Sequence, residues 1–137
     1  KHHTKEVAEE EIENQIIEAL TNVGLEDAID KMPAELSGGM RKRIALARTL
    51  IIQPEIILYD EPTSGLDSIT SREISELILS VQKKYKTTSI IITHDIKCAL
   101  HTANRMVMLR EGLVFMEGKP EDFKQSTDEY IQSFSFQ

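Results

Sequence analysis

The sequence predicts an α/β chain, and three observations predict it. Ile56-Ile57-Leu58-Tyr59 is a short unbroken apolar run closed by Asp60-Glu61-Pro62, the pattern of a strand buried on both faces, as in a parallel sheet. A second β-branched run, residues 88–93, ends at His94-Asp95. Between them Ile74, Leu77, Ile78 and Val81 recur at helical spacing and mark a helix over residues 68–84. Strand, helix and strand within about 40 residues form a βαβ unit, whose crossover is expected to be right-handed.

The remaining elements follow the same logic. Ile12, Ile16, Ala19, Leu20 and Val23 fall on one face at helical spacing, and Gly24 is placed to end that helix in a left-handed conformation. After Pro33 and the Ser-Gly-Gly break, residues 40–52 are expected to be helical, with Ile44, Ala47 and Ile51 on one side and Arg41, Lys42, Arg43 and Arg48 mostly elsewhere. Pro54 stops that helix. Asp95 is suited to cap a further helix running through Ala103. Residues 105–109 and 113–116 read as strands about the turn Glu111-Gly112. Residues 121–134 read as one or two helices, with Phe123, Tyr130, Ile131 and Phe134 packing back. The internal boundary is expected near Pro54, giving a helical portion over 1–53 and a βαβ-containing portion over 54–137.

Composition narrows the function classes. The 137 residues suit one domain, and the formal net charge of −7 argues against a nucleic-acid surface, which needs clustered positive charge. The acidic excess gathers at Glu6, Glu9, Glu10, Glu11 and Glu13, a solvated helix face. Cys98 is the only cysteine, so no internal disulfide forms, in keeping with a reducing compartment. No basic segment followed by an apolar core marks a signal peptide, and no apolar run approaches the roughly 20 residues that cross a bilayer. Work at a membrane therefore calls for another subunit to supply the span.

Four short segments carry candidate chemistry. In Ser37-Gly38-Gly39, adjacent glycines at a helix start let backbone approach a ligand, while free N–H groups and the helix dipole suit a phosphate. By itself the segment reads more simply as a glycine-rich loop before a helix. Asp60 and Glu61 stand where a buried strand emerges, the usual place for a site in an open α/β sheet. Asp60 is suited to hold Mg²⁺ through water and Glu61 to polarise an attacking water, although an acidic pair also simply ends a strand before Pro62. His94 ends the neighbouring parallel strand, so it is expected near Asp60, placed to bond a terminal phosphate or to act only as a turn residue. Asp67, after Ser64-Gly65-Leu66, reads alone as a helix cap.

Taken in order, Leu36-Ser37-Gly38-Gly39, the apolar run with Asp60-Glu61-Pro62-Thr63, Ser64-Gly65-Leu66-Asp67 and Ile92-Thr93-His94-Asp95 resemble the ABC ATPase family motif for motif, over residues 34–118. The resemblance implies a partial P-loop NTPase (RecA-like) parallel sheet with an ABC helical subdomain, residues 1–53 being the signature subdomain and 54–137 part of the catalytic core. It implies that Ser37, Gly38 and Gly39 contact the γ-phosphate of ATP held by an opposite subunit, and that Asp60 serves Mg²⁺. It further implies that Glu61 is the catalytic base, that Asp67 works across the subunit interface, and that His94 senses the γ-phosphate. The implied partners are a second ATPase subunit in a head-to-tail dimer and transmembrane permease subunits, with the chain on the inner face of a bacterial membrane. Residues 31–43 and 59–71 are similar to Mla-type ATPases of phospholipid transport, with Met40 where many ABC proteins have Gln and Ser68 where this subgroup often has Pro.

One departure shapes the expectations. No Gly-x-x-x-x-Gly-Lys-Ser/Thr segment occurs in these residues, so the main phosphate cradle of the family is not among them. The chain thus reads as a portion beginning in the helical subdomain and inactive by itself. The resemblance places the phosphate-loop strand between the strand ending at His94 and the strand at 105–109, so a gap is expected there, filled by rearrangement or covered by association. Two other functions fit the same motifs: a non-transport ABC protein, and an interaction module donating a signature motif in trans.

Overall fold

The computed structural model describes residues 2–134, with side chains from residue 9 onward. Helix α1 spans His2–Thr21, α2 Gly38–Leu50, α3 Ser68–Tyr85, α4 Ile96–Thr102, α5 Pro120–Lys124 and α6 Glu129–Gln132. Strands are β1 Ile56–Asp60, β2 Thr88–Ile92, β3 Met106–Arg110 and β4 Leu113–Gly118. The α/β class read from the sequence is the observed one, and α3 and β2 start where the pattern places them.

β1 and β2 pair in parallel, Ile56 opposite Thr88 through Asp60 opposite Ile92, with α3 as the connection. β3 and β4 form a separate antiparallel hairpin. Its two-residue turn has positive φ at both Glu111 (52°) and Gly112 (78°), as a turn matched to strand twist requires. A register shift between Met108 and Leu109 bends the ladder. Among the described residues no strand joins the two sheets, so the expected interruption is present and no rearrangement fills it.

The main core is built from three helices and one face of β1. Ala19 and Val23 from the α1 end, Leu46, Ala47 and Leu50 from α2, Ile57 and Tyr59 from β1, and Ile74, Ile78 and Val81 from α3 pack together. A smaller cluster seats Phe123 and Ile131 against Ile96, Leu100, Met106, Met108 and Met116. The C-terminal segment therefore forms two short helices that pack back through Phe123 and Ile131.

Three expectations need correction. β1 is buried on one face only: Ile57 and Tyr59 face the helices, whereas Ile56 and Leu58 are exposed, as are Ile90 and Ile92 on β2. The helices cover a single side of this two-stranded sheet, so apolar side chains on the other side meet no second layer. Helix α2 ends at Leu50, and its buried face is Gly39, Leu46, Ala47 and Leu50. Ile51 lies outside that face and is 46% exposed; where α1 and α3 press sets the buried phase, and the chain leaves the helix through Gln53 at φ 48° before Pro54. The apolar stripe of α1 is covered only at its C-terminal end, since Ile12 and Ile16 stay exposed while Ala19, Leu20 and Val23 are buried. Gly24 adopts the expected left-handed conformation, and the following Leu25 N–H donates to the Leu20 carbonyl at 2.9 Å.

Ile78 is 1% exposed at the centre of the main core. Ile78→Ala is expected to lower unfolding free energy by about 2–5 kcal/mol and Ile78→Val by about 0.5–1.5 kcal/mol, read from urea denaturation midpoints.

Candidate functional site

The parallel register brings the candidate residues to one end of the strands. β1 ends at Asp60 opposite Ile92, so Glu61 and the segment 93–95 leave the sheet side by side. Glu61 turns sharply, at φ 46°. A left-handed non-glycine residue costs about 1–3 kcal/mol and persists only where its surroundings hold it. Here the Glu61 N–H donates to the Ile92 carbonyl at 2.8 Å, and the Glu61 carbonyl accepts from Ser64 N–H at 3.2 Å and from Lys42 Nζ at 2.8 Å.

This backbone aims the Glu61 carboxylate at His94. His94 Nδ1 lies 2.9 Å from Glu61 Oε1, the His94 N–H donates to the same oxygen at 3.2 Å, and Thr93 Oγ1 donates to Oε2 at 3.4 Å. The bond and charge of His94 hold the Glu61 carboxyl below its ordinary value, and Glu61 in turn raises the His94 imidazole. Glu61 is therefore ionised at neutral pH and able to accept a proton or orient a water. An imidazolium donating through Nδ1 to Glu61 keeps its Nε2 proton for a second acceptor. The sequence places His94 near Asp60; the structure makes Glu61 its partner.

The loop beyond is tied by residues whose roles the sequence does not reveal. Buried Thr63 donates from Oγ1 to Asp95 Oδ2 at 2.9 Å. Asp95 Oδ1 caps α4 by accepting from Lys97 and Cys98 N–H, as its position before the helix predicts. One carboxylate thus joins the turn after Glu61 to the helix after His94. Cys98, on the inner side of α4, is 2% exposed, and burial pushes its thiol up despite bonds from Ser75, Thr102 and Thr63.

Ser37 caps α2, accepting from Met40 N–H at 3.2 Å, and leaves the first-turn N–H groups of Gly38 and Gly39 without intrahelical partners. The glycines also serve a purpose inside the chain. A Cβ on Gly39 would stand 2.6 Å from Thr70 Cγ2, and one on Gly38 would stand 3.1 Å from Leu66 Cδ2. The Ser37-Gly38-Gly39 segment and the start of α3 therefore approach too closely for side chains between them. Asp67 is the cap of α3, accepting from Ile69 N–H at 2.9 Å, Thr70 N–H at 3.0 Å and Thr70 Oγ1 at 2.6 Å. These donors, the Thr70 hydroxyl first, hold its carboxyl low. Arg43, read from spacing as lying off the packed side of α2, is half-buried; it donates to the Val23 carbonyl and pairs with Glu73, both at 3.0 Å.

Asp60 is exposed beside this cluster, its backbone in the ladder opposite Ile92 and its carboxylate turned to no ion-pair partner among the described residues. No group of three or more potential ligand side chains gathers among them either. A single free carboxylate fits Mg²⁺ shared with phosphate oxygens and water, and does not fit a closed all-protein cage. A shallow polar pocket lined by Leu50, Gln53, Pro54, Glu55, Tyr85 and Lys86 lies at the opposite ends of β1 and β2 and touches none of these groups.

Two expectations follow. The His94 imidazole should titrate above the ordinary histidine value of about 6.5, and Glu61→Gln should return it toward that value, as read by NMR of labelled histidine. A raised histidine stabilises the fold fully below its unfolded value and stops doing so as pH rises through the folded one. A lowered carboxylate stabilises above its unfolded value and stops as pH falls through the folded one, so the pair contributes most at mildly acidic pH. Gly39→Ala should cost about 1–3 kcal/mol by overpacking against Thr70, and adding Thr70→Ser, which removes the clashing methyl, should recover part of it in denaturation.

With this geometry in view, the relatives are informative. A family model described as ABC transporter matches residues 1–64. The chain is 39% identical over 126 residues to the spermidine/putrescine import ATP-binding protein PotA of Ureaplasma parvum, covering 92% of this chain and 24% of that protein. It is 37% identical over 145 residues to the protein TRIGALACTOSYLDIACYLGLYCEROL 3, chloroplastic, of Arabidopsis thaliana, covering 94% of this chain and 42% of the relative. The chain thus spans less than half the length of these relatives. Among solved structures, a dimeric post-hydrolysis state of the ATP-binding cassette MJ0796 bound to ADP and Pi superposes with a TM-score of 0.69 at 37% identity, over 80% of this chain and 47% of that one. The Ser37-Gly38-Gly39 helix start, the Asp60-Glu61 strand end and the shared fold agree in what they resemble, and the chain is similar to the ABC transporter family of ATP-binding domains.

Proposed function

We propose that this chain supplies the signature helix, hydrolytic carboxylate and switch histidine of an ATP-hydrolysing ABC transporter subunit. The observation that carries the reading is the Glu61–His94 pair at the ends of paired parallel strands, with Nδ1 and Oε1 at 2.9 Å. In this reading Glu61, held ionised, orients the attacking water and accepts its proton. His94 presents Nε2 to the terminal phosphate. Asp60 serves Mg²⁺, which supplies charge neutralisation at the phosphates when bound.

Ser37, Gly38 and Gly39 face the γ-phosphate of ATP held by a second subunit, and Asp67 stands at that interface. The dimeric cassette bound to ADP and Pi supports a two-subunit arrangement. Residues 1–53 serve as the signature subdomain and 54–137 as part of the catalytic core. Among the described residues no helix is long and apolar enough to cross a membrane, so permease subunits supply the span and hold this chain at the inner face of the bacterial membrane. The cargo we assign is phospholipid, on the likeness of residues 31–43 and 59–71 to Mla-type ATPases.

The full-length protein should hydrolyse ATP in a Mg²⁺-dependent manner, and Glu61→Gln should slow turnover by about 10²–10⁴-fold while sparing ATP binding. Absence of Mg²⁺-dependent turnover in the wild type would refute the enzymatic reading. The 137-residue chain alone should turn over no ATP. Cargo is read separately in proteoliposomes of the assembled transporter. Phospholipid movement coupled to ATP use supports the assignment, and spermidine movement instead would move this chain to polyamine transport.

A further inference from the structure

Lys42 lies on α2, one turn beyond the signature glycines, and is half-buried. Its Nζ donates to the Glu61 carbonyl at 2.8 Å, a contact between residues 19 positions apart. That carbonyl belongs to a residue in the left-handed region, at φ 46°. The other backbone bonds of Glu61 come from its own turn, through Ser64, and from the neighbouring strand, through Ile92. Lys42 is the bond from α2, and it carries a charge, which strengthens a hydrogen bond to a neutral acceptor.

We propose that Lys42 is a positioning residue for hydrolysis: it fixes the left-handed backbone of Glu61 and ties the signature helix to the hydrolytic carboxylate of the same chain. This rests on the ATPase reading above. The physical basis is stiffness. Ser37 and the glycines begin α2, and a helix moves as a rod over one turn, so a displacement at its N-terminus reaches the Lys42 stem. From there a single bond leads to the peptide that sets the Glu61 side-chain direction. A phosphate docking on the helix start is thereby felt at the carboxylate that must act when both subunits have closed. Neighbouring Arg41 and Arg43 bond elsewhere, to the Leu36 and Val23 carbonyls, so neither substitutes for Lys42.

The test uses the full-length protein with Lys42→Met, which keeps the apolar stem and removes the donor, and Lys42→Arg, which restores a charged donor. Lys42→Met should lower kcat about tenfold, the loss of one charge-assisted hydrogen bond, with KM for ATP unchanged. Hydrogen exchange at the Glu61 amide should quicken about tenfold while the Ile57 and Tyr59 amides keep their rates. Lys42→Arg should recover most of both effects. Wild-type kcat and Glu61 exchange in Lys42→Met would overturn the proposal. So would equal damage from Met and Arg, or exchange rising equally at Ile57, which marks a general loss of stability. If the wild type hydrolyses no ATP, the ATPase reading falls by itself, and exchange at the Glu61 amide still decides whether Lys42 steadies the Glu61 turn.

Discussion

The parallel pairing of β1 with β2 is the constraint on which the site depends. With Asp60 opposite Ile92, the Glu61 amide meets the Ile92 carbonyl, and the chain beyond each strand emerges on the same side. A slip of one residue would turn Ile57 and Tyr59 away from the helices and carry the Glu61 side chain off His94. Burial of those two residues therefore enforces the geometry of a carboxylate that is itself not in the core. Hydrophobic packing sets the register, and the register places the chemistry.

Around this pair the polar groups form a short relay instead of a set of separate caps. Lys42 reaches Glu61, Glu61 reaches His94 and Thr93, and Asp95 reaches back to Thr63. Each link joins a loop to an element formed elsewhere in the sequence. Exposed ion pairs of this kind add little to stability. Their contribution lies in fixing side-chain direction, which the proposed phosphoryl transfer would need more than binding strength.

Much of this was legible in the sequence because the signals were local. The βαβ unit, the caps at Asp67 and Asp95, and the Glu111-Gly112 turn each depend on a few adjacent residues. The errors arose where a partner layer decides the outcome. Ile56-Ile57-Leu58-Tyr59 is apolar throughout, and nothing in such a run tells which side a helix will cover. The phase of α2 likewise follows from α1 and α3. The Lys42 and Thr63 bonds span 19 and 32 positions, and no short pattern announces contacts of that reach. Gly39 illustrates a different limit: the sequence explains it by approach to a ligand, while the structure adds the Thr70 methyl that leaves no room for a side chain.

The burial of Cys98 has a consequence for how motion at this end of the molecule can be followed. Its thiol sits on the inner side of α4, shortly after His94, with Ser75 of α3 and Thr63 of the Glu61 turn as neighbours. A protonated, covered thiol reacts with alkylating agents only when the seam between α3 and α4 parts. As the sole cysteine of these residues, it is a chemical stopwatch built into the chain, whose labelling rate counts how often the helix behind His94 lifts away.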